Sequence, residues 1–70
     1  MRLDLDRSVY SLEAVQKAAY RFIDRLTVLI SQSEDVITCD IDVIVGMDDF
    51  LESLVSDFKR EILDQQLRVQ

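Results

Sequence analysis

Seventy residues with fourteen Asp and Glu against eight Lys and Arg carry a net charge of −6, which repels a nucleic-acid backbone and an anionic membrane surface alike. Histidine and proline are absent, and Gly46 and Cys39 are single residues of their kinds. The residue types that usually carry catalysis, metal ligation and phosphate cradling are therefore nearly missing, and neither an enzyme nor a bound cofactor is expected.

A chain of this length makes one domain over 1–70 and buries only about 60% of the surface its unfolded form exposes. Its core supplies no more than about 3–5 kcal/mol, and a lone cysteine cannot form a disulfide within the chain, so oligomerisation or a standing partner is the expected remedy. No apolar run approaches the roughly 18–20 residues of a spanning helix. The opening Met1-Arg2-Leu3-Asp4 lacks the layout of a secretory signal, and with a free thiol this predicts a cytoplasmic protein.

From Arg2 to Asp6 the side chains alternate, Leu3 and Leu5 against Arg2, Asp4 and Asp6, which predicts a half-buried strand running on to about Tyr10. Ser11 stands at an N-cap position with Glu13 in the first turn. Leu12, Val15, Ala18, Ala19, Phe22 and Ile23 then form one stripe of a helix ending near Asp24, where the two alanines permit close approach to a sheet. Leu26-Thr27-Val28-Leu29-Ile30 is short and β-branched and reads as a second strand, with Ser31 to Asp35 as a polar turn. The third strand is the clearest element. Ile37, Cys39, Ile41 and Val43 face one way and Thr38, Asp40 and Asp42 the other, so a slip of one residue would bury two carboxylates. Gly46 breaks the run. A final helix starts around Asp48 or Asp49, with Asp49 and Glu52 spaced as a capping box, and continues to Leu67 or beyond. Its main stripe is Leu51, Leu54, Val55, Phe58 and Ile62. Leu63 and Leu67 lie about 100° round the helix from the Ile62 line and make a second apolar strip that one sheet does not cover.

The order is β-α-β-β-α, an α+β fold of two layers. A right-handed crossover joins the first two strands and a hairpin joins the second to the third. The expected sheet has three strands in the order 2-3-1 with both helices on one face, like a truncated ferredoxin-like fold. Its outer strands are edges able to recruit another chain.

Asp4, Asp6, Asp40 and Asp42 then share the uncovered face. Clustered carboxylates can hold a hard cation, but a flat strand surface without carbonyl ligands argues instead for a solvated face that blocks sheet stacking, or one that docks a basic partner, with Arg2, Arg7 and Thr38 easing the repulsion. Cys39 on the apolar stripe reads as a small buried hydrophobe with a raised pKa. Tyr10 and Tyr20 fall off the core stripes. Partial burial is the ordinary reading for both, and a tyrosine exposed beside the first strand would anchor an interface. Arg21, Arg25 and Arg60, interleaved with Asp24, Asp57 and Glu61, read as a salt-bridged solvated face.

Two stretches, Val9-Tyr10-Ser11-Leu12-Glu13-Ala14-Val15-Gln16-Lys17-Ala18-Ala19-Tyr20-Arg21-Phe22 and Ile62-Leu63-Asp64-Gln65-Gln66-Leu67-Arg68, resemble HxsD, the small protein of His-Xaa-Ser peptide-modification systems. That family carries a C-terminal signature Leu-Leu-Asn-Asp-Tyr-x-Leu-Arg-Glu, matched strictly by Asp64, Leu67 and Arg68 and conservatively by Ile62; Gln65 replaces the tyrosine and Val69 the final glutamate. The resemblance implies an accessory protein beside two radical S-adenosylmethionine maturases and a precursor with His-Xaa-Ser repeats, and implies no catalytic residue. Two hypotheses follow. In the first, an acidic sheet face or exposed edge holds an extended basic or His-rich peptide. In the second, the protein is a structural protomer that dimerises through Leu63, Leu67 and the C-terminal helix and takes no peptide.

Overall fold

The computed structural model describes residues 1–44, 46 and 48–68. Strand β1 spans Arg2–Asp6, helix α1 Leu12–Arg21, β2 Leu26–Gln32, β3 Val36–Val43 and α2 Leu51–Arg68, with a 3-10 turn at Asp48–Phe50 before α2. The sheet order is β1-β3-β2, and both outer strands run antiparallel to β3. β1 and β2 are thus parallel to one another with β3 between them, the split β-α-β arrangement expected from the sequence.

β1 stops at Asp6, four residues short of the predicted Tyr10. The Asp6 carboxylate accepts from the Ser8 amide at 2.8 Å and the Ser8 hydroxyl at 2.7 Å, while its carbonyl accepts from the amides of Val9 and Tyr10. An aspartate that captures the backbone two residues on turns the chain away from the ladder. The Arg7 guanidinium then donates to the Ser33 carbonyl at 2.6 Å and the Arg7 amide to that of Asp35, tying this turn to the β2–β3 hairpin.

Ser11 caps α1 as predicted, its hydroxyl accepting from the Ala14 amide at 3.1 Å. Ser11→Ala removes that acceptor and is expected to cost about 1 kcal/mol, read as a lower thermal midpoint. The helix ends at Arg21 and not near Asp24. The Phe22 carbonyl is taken by the amides of Arg25 and Leu26, a tight turn that leads straight into β2. An aspartate beyond the last turn is also adverse to the negative end of the helix dipole. Ile23, assigned to the buried stripe by its spacing, is left 66% exposed.

β2 extends through Ser31 and Gln32, which the sequence places in the turn, because Ser31 pairs with Thr38 and Gln32 with Ile37. β3 alternates as expected. Ile37, Cys39 and Ile41 are buried, and Asp40 and Asp42 are exposed. Beyond the strand Gly46 takes φ +97°, a conformation that strains any residue with a Cβ. α2 begins at Leu51, so Asp49 lies in the 3-10 turn and not at a capping position.

One core joins the layers: Leu5, Ile37, Cys39, Ile41 and Leu26 from the sheet meet Val15, Ala18 and Phe22 of the α1 segment and Leu54, Val55, Phe58 and Ile62 of α2. Both helices therefore cover the same face. The Phe22 and Phe58 rings meet edge to face at 5.7 Å between centroids, closing the α1–α2 seam.

Candidate functional site: a groove along the first strand

Four consecutive residues of β1, Leu3 to Asp6, form one wall of a groove of about 330 Å³ whose other side is Tyr10, Lys59, Ile62 and Leu63. Consecutive strand residues point to opposite faces, so a wall built of all four is the free edge of β1 itself. Tyr10 is placed by the Asp6 turn and is half-buried at the groove's end. Lys59 and Leu63 stand one turn apart on α2, on a row that continues to Leu67 outside the groove. Leu63 is 50% exposed and Leu67 73%, as expected for a strip the sheet does not cover.

The register sets the electrostatics of the adjoining open face. Asp4 sits opposite Thr38, Arg2 opposite Asp40, and Asp40 is flanked on its other side by Leu29, which is 68% exposed. The four aspartates thus share one face but are staggered and interleaved with other side chains. Among the described residues no three His, Cys, Asp or Glu side chains converge as a metal-holding group. Asp4 Oδ1 accepts from Arg2 Nε at 3.0 Å and from Thr38 Oγ1 at 3.1 Å, and the Arg2 hydrogen bond is the main reason its pKa falls below the usual carboxylate value. Asp6 is lowered likewise, first by the Ser8 hydroxyl. Both shifts favour the charged carboxylate on this side of the protein. Asp42 lies opposite Thr27 and accepts from the Val43 amide at 2.9 Å.

Of the residues singled out in the sequence, Asp4, Asp6, Tyr10 and Leu63 meet at the groove, and Asp40 and Asp42 lie on the face beside it. Tyr20 is far from them. It is 75% exposed, not partly buried, and stands beside β2 with Ile23 and Val28. Asp64 and Arg68 pair with each other at 3.1 Å along α2. The predicted charged face is a cleft of about 530 Å³ floored by Phe22 and lined by Arg21, Arg25, Asp57, Arg60, Glu61 and Asp64. Within it Arg21 pairs with Glu61 at 3.3 Å, and the Arg25 guanidinium lies 4.3 Å over the Phe22 ring.

Three residues escaped sequence reasoning. Lys59 supplies the groove's cation. Gln65 is buried on the main α2 stripe and donates to Glu61 Oε2 at 2.7 Å, and Gln66 Oε1 accepts from the Ser11 amide at 2.8 Å, pinning the end of α2 to the start of α1. The spacing of Gln65, three after Ile62, was the available signal.

Among the described residues no helix is long and apolar enough to cross a membrane. A family described as His-Xaa-Ser system protein HxsD matches residues 5–70. No curated protein and no solved structure matches the chain significantly.

Proposed function

The chain belongs to the family of the His-Xaa-Ser system protein HxsD, and from that premise we propose that it is a non-catalytic accessory protein that holds an extended basic or His-rich peptide as an added strand on β1. The observation that carries this reading is the groove of about 330 Å³ at the β1 edge, which has no strand beside it among the described residues. Edge hydrogen bonds supply affinity in strand addition, and a pocket for alternate side chains supplies selectivity. Here the pocket is apolar at Leu3, Leu5, Ile62 and Leu63, and the aspartates of the neighbouring face attract a cationic chain. The precursor with His-Xaa-Ser repeats is the peptide this reading assigns, with the maturases as the other partners of the system.

The test is titration of the full chain with a synthetic peptide of His-Xaa-Ser repeats, followed by fluorescence anisotropy. Leu63→Glu, at a half-exposed position, is expected to weaken binding by about tenfold or more, since a hydrated carboxylate replaces part of the apolar wall and draws Lys59, one turn away, across the groove. Unchanged affinity in Leu63→Glu removes the groove from the account, and unchanged affinity in Asp40→Asn with Asp42→Asn removes the acidic face.

Exposure of Leu67 at 73%, one turn beyond Leu63, favours a second reading in which α2 pairs with another copy and no peptide is taken. Leu67 lies outside the groove. On that reading Leu67→Glu breaks the dimer in light scattering; on the first it leaves peptide binding intact.

A further inference from the structure

The two sheet edges differ in a way that assigns them different occupants. β1 carries Arg2, Asp4 and Asp6, charges of the kind that guard an edge against its own copies. β2, Leu-Thr-Val-Leu-Ile-Ser-Gln, carries no charged side chain over its seven residues and, among the described residues, is also unpaired on its outer side. In a chain of net charge −6, copies repel wherever carboxylates meet, and this strand brings none. Next to it, Tyr20, Ile23, Leu26 and Val28 line an apolar cleft of about 400 Å³, with Tyr20 75% and Ile23 66% exposed.

We infer that the β2 edge is the site of a second copy of this chain, paired antiparallel about a two-fold axis at Leu29. An isologous pairing sets each residue against its symmetric mate. Centred on Leu29, it puts Val28 opposite Ile30 on the helix-covered face and Thr27 opposite Ser31 on the open face, and it uses the whole strand from Leu26 to Gln32. Every pair is neutral, and each residue meets one of the same facing. The exposed Leu29 side chains cover one another at the axis. Ile30 of the partner subunit enters the cleft between α1 and β2, which covers Tyr20 and Ile23. The product is a closed dimer with one six-stranded sheet, all helices on one side and both β1 edges outermost, free for the peptide of the proposed function. The inference does not depend on that peptide, and β1 variants leave it untouched.

Sedimentation equilibrium of the full chain is expected to show a species of twice 8.1 kDa. Leu29→Lys places like charges opposite one another at an exposed position of the monomer, and the dimer dissociation constant is expected to rise by about tenfold or more, with an unchanged circular dichroism spectrum. Leu29→Cys should cross-link to a covalent dimer on mild oxidation much faster than Lys17→Cys, since directly opposed strand residues have the Cα separation a disulfide requires. Cys39, wholly buried, stays silent. A monomer at all concentrations, masses that climb past two copies, a dimer indifferent to Leu29→Lys, or equal cross-linking of the two cysteine variants overturns the assignment.

Discussion

Phe58→Ala is expected to leave the chain unfolded at room temperature in dilute buffer. Phe58 is the largest of the fully buried side chains, with 0% exposure, and its ring meets Phe22 edge to face where the two helices close over the sheet. Truncating a buried phenylalanine costs about 3–5 kcal/mol through lost transfer energy and the cavity left behind. A core of this size supplies about the same amount in total, so the substitution removes most of what separates folded from unfolded. Loss of the far-ultraviolet helix signal without denaturant checks this. Phe58→Leu keeps most of the volume and is expected to stay folded with a lower urea midpoint. A cooperative Phe58→Ala transition near that of the natural chain would show that the core is not thin.

The same thinness explains how much of the fold could be read from the residues alone. In β3 and along the main stripe of α2 the apolar positions face the one core, so Ile37, Cys39 and Ile41 keep a period of two, and Leu54, Val55, Phe58 and Ile62 keep the helical one, with Leu63 and Leu67 outside it. Element ends were less legible, because local hydrogen bonds decide them. Asp6 continues the alternation of β1 yet turns the chain through Ser8, and Ile23 continues the α1 stripe although the helix has ended two residues earlier. Apolar periodicity also cannot detect a glutamine that fills a buried position, which is why Gln65 escaped. The groove was legible only in pieces. Asp4, Asp6, Tyr10 and Leu63 were each visible, but their meeting depends on how α2 lies across β1, and no local pattern in either segment encodes that. Tyr20 shows the converse: its place off the α1 stripe is plain, while the edge it stands beside follows only from the sheet order.

The protein should lose stability between pH 9.0 and about 11, and Cys39 should account for a separable share of the loss. Its thiol is fully buried on β3 between Leu3 and Ile30, and its pKa is pushed up from 9.0 to about 11, first by burial and then by the charges of Asp40 and Asp4. The raised value makes the neutral thiol the form the fold prefers. Below pH 9.0 the group is neutral in both folded and unfolded chains and adds no pH dependence; above it the unfolded chain ionises while the folded one does not, and the balance shifts toward unfolding. A shift of this size corresponds to about 3 kcal/mol once the fold's own pKa is passed. Tyrosine and lysine titrate in the same range, so the quantity to measure is the difference between the natural chain and Cys39→Ala in urea unfolding against pH. Cys39→Ala begins less stable, because it leaves a small void, and is expected to fall less steeply. Equal slopes would place the thiol in contact with water. Because burial leads the charges as a cause, Asp40→Asn should move the Cys39 pKa only part of the way back toward 9.0. The buried thiol also reports on the edge next to it. A reagent reaches Cys39 only when the core around β3 opens, and a peptide strand held along β1 stabilises the closed form by mass action. Labelling should therefore slow as the groove saturates, and should not slow in Leu63→Glu, which links the pH behaviour of one core side chain to occupancy of the proposed site.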